Sequence, residues 1–65
     1  MEQTLTENGV IVDTAPAGTW TTAAAWAESL IMFNAFADTC WSVESKTDTT
    51  AIIIVQGDAY TYEIN

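Results

Sequence analysis

The stretch AIIIV, residues 51–55, is apolar on both faces of any strand it forms. A strand with one face on a core and the other in water alternates. A run without alternation is therefore either sandwiched between two layers or left with an uncovered apolar side. With only 65 residues there is little chain from which to build a second layer. A domain of this size buries only about 60% of the surface that its unfolded chain exposes. What the rest of the sequence lays over AIIIV decides the fold.

The pattern reads as two strands, a helix and three strands, without linker or repeat. In EQTLTENGVIVDT, Asn8 and Gly9 supply the positive φ angles of a type I′ turn. Glu7 is then expected opposite Val10 and Leu5 opposite Val12, with Leu5, Val10 and Val12 on one face. Pro16 and Gly18 end the hairpin. Thr21 or Thr22 is placed to cap a helix, with Trp20 before it as a staple onto the first turns. From Ala23 to Asp38 the spacing is helical, and Trp26, Leu30, Phe33 and Ala37 form the expected core stripe. Glu28, Ser29, Ile31, Met32 and Asn34 point elsewhere. The alanines of this segment favour helix and permit close approach to a sheet.

The last third reads as a three-stranded meander. Gly57 and Asp58 suit a type II′ turn that pairs Val55 with Tyr60 and Ile53 with Tyr62. Setting Val43 opposite Ile53 needs a loop over residues 46–50 or a bulge. It gathers Trp41, Val43, Ile53, Val55, Tyr60, Tyr62 and Ile64 beneath the helix. Ile52 and Ile54 then fall on the far face, Ile52 between Glu44 and Glu63, and Ile54 between Ser42 and Thr61. Adjacent strands lie about 4.8 Å apart, so the two glutamates are expected roughly 10 Å from each other. The expected architecture is one α+β domain over residues 1–65: an antiparallel sheet of about five strands (ββαβββ), one helix on one face, and an isoleucine strip rimmed by carboxylates on the other.

Charge narrows the function. Nine carboxylates stand against one cation, Lys46, with no Arg or His, for a net charge of −8. Such a surface is repelled by nucleic acid and by anionic membranes and attracted to basic protein surfaces. One lysine does not neutralise a phosphate backbone, which argues against direct nucleic-acid binding. Without a His base, clustered cations or a glycine-rich phosphate loop, the chain reads as a non-enzyme. Neither KTDTT nor QGDAYTYE has the oxygen density of a calcium loop, and Cys40 has no second Cys or His for zinc, so no metal or cofactor is expected. One cysteine makes no internal disulfide, and Cys40 reads as a small hydrophobe at a strand end. The opening MEQTLTENG lacks the basic and apolar regions of a signal peptide, and the apolar helical stretch is interrupted by Glu28, Ser29 and Asn34. A soluble, cytoplasmic protein is expected.

Acids usually come interspersed with lysines, whereas here the field has one sign. Duplex DNA carries one negative charge per roughly 1.7 Å of axis, which a compact acidic protein imitates to a basic groove. In size, composition and architecture the whole chain resembles the small acidic phage-encoded inhibitors that mimic DNA, the anti-CRISPR proteins above all. No motif carries the likeness. It implies a bacterial host cytoplasm and a partner that is the nucleic-acid-binding surface of a defence complex. The residues expected to dock are Glu44, Glu63 and Asp48 around Ile52 and Ile54, with Glu7, Asp13, Asp58, Glu28 and Asp38 adding to the field. A monomer is expected ahead of a homodimer. The competing readings are an assembly module that pairs through Ile52 and Ile54, an ordinary solvated surface, and adaptation to a saline habitat.

Overall fold

The computed structural model describes residues 1–34 and 40–65. Two chain reversals of one kind organise it. Asn8 (φ 51°) and Gly9 (φ 87°) turn β1 (Glu2–Glu7) into β2 (Val10–Pro16), and Gln56 (φ 51°) and Gly57 (φ 86°) turn β4 (Thr50–Val55) into β5 (Asp58–Ile64). Two successive positive φ angles make a type I′ turn, whose twist matches that of the strands it joins. The first reversal is the expected one. The second uses Gln56-Gly57 in place of Gly57-Asp58, because Gly57 takes the second central position and leaves Gln56 the first. Val55 therefore pairs with Asp58, Ile53 with Tyr60 and Ala51 with Tyr62. The expected partners are displaced by two residues. An even displacement keeps each side chain on its face, so the tyrosines still lie with Ile53 and Val55.

Among the described residues there are five strands in one antiparallel sheet, ordered β2-β1-β5-β4-β3, with β3 spanning Trp41–Lys46, and one helix, α1, spanning Ala23–Asn34. The hairpin β1-β2 and the meander β3-β4-β5 meet where β1 pairs with β5, Leu5 with Ile64, Thr6 with Glu63 and Glu7 with Tyr62. Each strand overhangs the other, which draws the molecule out to 35 × 21 × 19 Å.

Thr22 caps α1: its Oγ1 accepts from the Ala25 N–H at 3.2 Å and its carbonyl from the Trp26 N–H at 3.3 Å. Trp20 stacks on Trp26 with ring centroids 5.9 Å apart and planes 8° from parallel, as a staple would. Gln3 fixes Trp20 from the sheet, donating to its carbonyl at 2.9 Å and accepting from its N–H at 3.0 Å. The core is Leu5, Ala23, Ala24, Trp26, Ala27, Ala51, Ile53 and Tyr62. Trp41, Val43, Val55, Tyr60 and Ile64 pack against it as expected.

The helix stripe is a correction. Phe33 is 87% exposed and Ile31 packs on the core, the reverse of the sequence expectation. Small side chains at 23, 24 and 27 let the helix lie close to the sheet on its alanine side. With about 100° per residue, this turns the buried stripe roughly a quarter turn from the line through Trp26 and Phe33. Ala37 and the expected helical residues 35–38 lie outside the described residues.

Each half also carries a bulge, unexpected in the hairpin and, in the meander, one of the two expected ways of setting Val43 opposite Ile53. In the hairpin, Thr6 pairs with Ile11 but Leu5 with Asp13, so Val12 is an extra residue and Leu5 does not face it. Val10 and Val12 are 65% and 43% exposed, not core. In the meander, Val43 pairs with Ile53 but Ser45 with Ile52, which makes Glu44 the extra residue. That bulge is what allows Val43 to face Ile53.

Candidate interaction surface

The helix covers one face of the sheet, and no described residue covers the other. At its centre Ile52 lies between Ser45 and Thr61, and Ile54 between Ser42 and Ala59. Glu63 stands between Thr6 of β1 and Thr50 of β4, and its carbonyl accepts from Thr6 Oγ1 at 3.3 Å. The expected row Glu44-Ile52-Glu63 is not formed. The bulge takes Glu44 out of register and the type I′ turn moves Glu63 two residues along. With Ile52 37% exposed and Ile54 half-buried, the open face is a Thr, Ser and Ile surface holding one central carboxylate.

Five described carboxylates are exposed: Glu2 at the start of β1, Glu44 at the β3 bulge, Asp48 in the β3-β4 loop, Asp58 beside the β4-β5 turn, and Glu63. Four of these belong to the meander. Glu28 is half-buried on α1 and shares a cleft of ≈ 320 Å³ with Lys46 and Asp48. The Asp48 carbonyl also accepts from the Ala23 N–H at 3.1 Å, tying the loop to the helix start. Lys46 thus lines this cleft together with acids of two elements. Cys40, expected as a small hydrophobe at a strand end, lies just before β3 and is exposed.

Glu7 and Asp13 are placed differently. Tyr62 Oη donates to Glu7 Oε2 at 2.6 Å, and Trp26 Nε1 donates to Asp13 Oδ2 at 2.8 Å. Both carboxylates are half-buried and face the helix side, where they accept from aromatic groups that would otherwise bury a donor. Burial, and then the hydrogen bond to Glu7, push the Tyr62 phenol well above its ordinary range. These two acids secure the hairpin to the core and contribute less to the outward field than the exposed five. Asp38 lies outside the described residues.

The sequence reading passed over Glu2 and the apolar edge at Val10 and Ile11, which are 65% and 60% exposed. The signal was present. VIV, like AIIIV, is a run without alternation.

No group of acids, Cys or His among the described residues is arranged to hold a metal ion, and no described helix is long and apolar enough to cross a membrane. No family model, curated protein or solved structure matches the chain. Geometry and charge are what bear on its function.

Proposed function

We propose that this protein is an acidic DNA mimic that occupies the basic nucleic-acid-binding surface of a host defence complex of the CRISPR type and blocks binding of target DNA. One observation carries the reading. The sheet leaves a whole face open with Glu63 at its centre, and four further described carboxylates, Glu2, Glu44, Asp48 and Asp58, are exposed elsewhere on the surface of a molecule of net charge −8. A polar sheet face with an exposed acid suits a basic groove, where charge sets encounter and orientation and the isoleucines add an apolar centre. The alternative of pairing through Ile52 and Ile54 has less support, since Ile52 is the least exposed of the large apolar side chains that are exposed among the described residues, and Ile54 is half-buried.

The test is a competition. Guide-loaded CRISPR effector complexes are mixed with labelled target duplex and increasing amounts of the protein at about 0.1 M salt, and bound duplex is read by mobility shift. The proposal predicts displacement from at least one complex, weakening steeply as salt rises. Undiminished duplex binding by every complex would refute it. Melting curves over the same salt series separate the saline-habitat reading, which requires the fold to fail below molar salt.

A further inference from the structure

The two edges of the sheet are guarded unequally, and we propose that the β2 edge pairs antiparallel with the β2 edge of a second copy of the chain. On the β5 side of β1, Thr4 and Asn65 exchange both backbone hydrogen bonds, at 3.0 and 2.9 Å. Antiparallel ladders alternate, so Thr4 and Thr6 turn their backbone groups toward β5 while Leu5 and Glu7 turn theirs toward β2. Ile11, opposite Thr6, and Thr14, opposite Thr4, therefore aim their own N–H and C=O away from β1. Pro16 has no N–H and ends this available edge.

Sheet edges are ordinarily blunted by charge, by Lys in particular, or by bulges. The β3 edge has all three: a bulge at Glu44, with Glu44 and Lys46 both exposed. The bulge of β2 adds Val12, so it contributes apolar surface instead of charge. Asp13 is the only charged residue of β2, and its carboxylate is drawn inward to the Trp26 indole. What faces outward is an uncharged, largely apolar strand with free backbone partners.

Charge indicates the occupant. A basic partner would find its carboxylates on the meander, whereas the outward side of β2 presents none. A second copy presents the same uncharged edge. Across such a seam the β5 strands of the two copies, which carry Asp58 and Glu63, lie five strand spacings or roughly 24 Å apart, and the β1 strands with Glu2 three spacings or roughly 14 Å apart, both beyond the Debye length of about 10 Å at 0.1 M salt. The repulsion between two copies is thus smallest when they meet here. A two-fold axis normal to the sheet keeps both open faces on the same side. The pairing does not rest on the inhibitor reading, and either can fail alone.

The test is sedimentation equilibrium of the full chain over a wide concentration range, in reducing buffer because Cys40 is exposed. The expected mass is that of two chains, reached at lower concentration as salt rises, because screening relieves like charge. Ile11→Lys should halve the mass, while Ile52→Lys on the open face should leave it unchanged. Amide exchange on the unmodified chain provides a reading that needs no variant to fold: the Ile11 and Thr14 amides should slow as concentration rises. A one-chain mass at every concentration would overturn the proposal. So would a two-chain mass that Ile52→Lys abolishes, or an Ile11 amide that exchanges equally fast in dilute and concentrated samples.

Discussion

The hairpin and the meander differ in their carboxylates: two of the hairpin's three, all but Glu2, are turned inward, whereas the meander's four are exposed. In the hairpin, Glu7 and Asp13 accept hydrogen bonds from Tyr62, 55 residues away in sequence, and from Trp26, 13 residues away. In the meander, Glu44, Asp48, Asp58 and Glu63 are all exposed. The net charge of −8 is therefore not one undifferentiated field. Some acids hold the fold together and others face outward, and only the second group is available to a partner.

The hardest test of this contrast removes what Asp13 is tied to. Trp26→Ala deletes a fully buried indole, its stack on Trp20 and the donor to Asp13. Large aromatic truncations in cores cost about 3 to 5 kcal/mol. Since stability is about 0.05 to 0.15 kcal/mol per residue, or about 3 to 10 kcal/mol for 65 residues, that is a large fraction of what the domain has. Urea titration should find the midpoint greatly lowered or the variant already unfolded in dilute buffer. A midpoint close to that of the wild type would mean that Trp26 does not anchor the hairpin.

A smaller loss is expected from Glu7→Ala, which leaves the buried Tyr62 hydroxyl without its acceptor, at about 1 to 3 kcal/mol. Glu7→Gln keeps an acceptor and should recover most of it. If both variants melted alike and like the wild type, Glu7 would belong with the outward acids and the contrast would fail on that side.

The same pair makes stability depend on pH at the alkaline end. Burial, with the Glu7 hydrogen bond adding to it, raises the folded-state pKa of Tyr62 above the unfolded value of about 10. A raised pKa means that the folded state holds the proton more tightly. Its contribution is complete below pH of about 10 and is lost as pH rises from there through the folded value. Chemical melts should show stability falling over that window, and Tyr62→Phe should flatten the fall. An unchanged slope in Tyr62→Phe would assign the alkaline loss to other groups.

On the meander side the expected effect on stability is the smallest. Glu44→Lys and Glu63→Lys alter exposed side chains, so each should shift stability by less than about 0.5 kcal/mol. The direction should be toward greater stability, because both reduce self-repulsion. A large loss from either would place that acid with Glu7 and Asp13.

How much of this was legible depended on which physical signal each feature leaves. Asn8-Gly9 names its turn, and the hairpin follows from it. Gly57 also marks a turn, but Gly-X and X-Gly both close a two-residue loop, so the register stayed two residues ambiguous. Side-chain facing depends only on whether a displacement is odd or even. The buried set on the meander therefore survived while the cross-strand neighbours of Ile52 and Glu63 did not. Bulges at Val12 and Glu44 have no residue signature, and they are what broke the expected Leu5-Val12 and Glu44-Ile52 pairs. The fates of Glu7 and Asp13 were hidden for another reason. Their partners are brought to them by tertiary packing, and a carboxylate that will bind an indole looks in sequence like one that will not.

The central claim is that the outward acids exist to meet a basic surface. It is tested most directly by the double variant Glu44→Lys/Glu63→Lys in the target-duplex competition, beside its melting curve. Close charge pairs at interfaces couple by about 1.5 to 7 kcal/mol. Reversing two should therefore weaken displacement by well over tenfold while the melt stays at or above wild type. Full displacement of the duplex by the folded double variant would contradict the account.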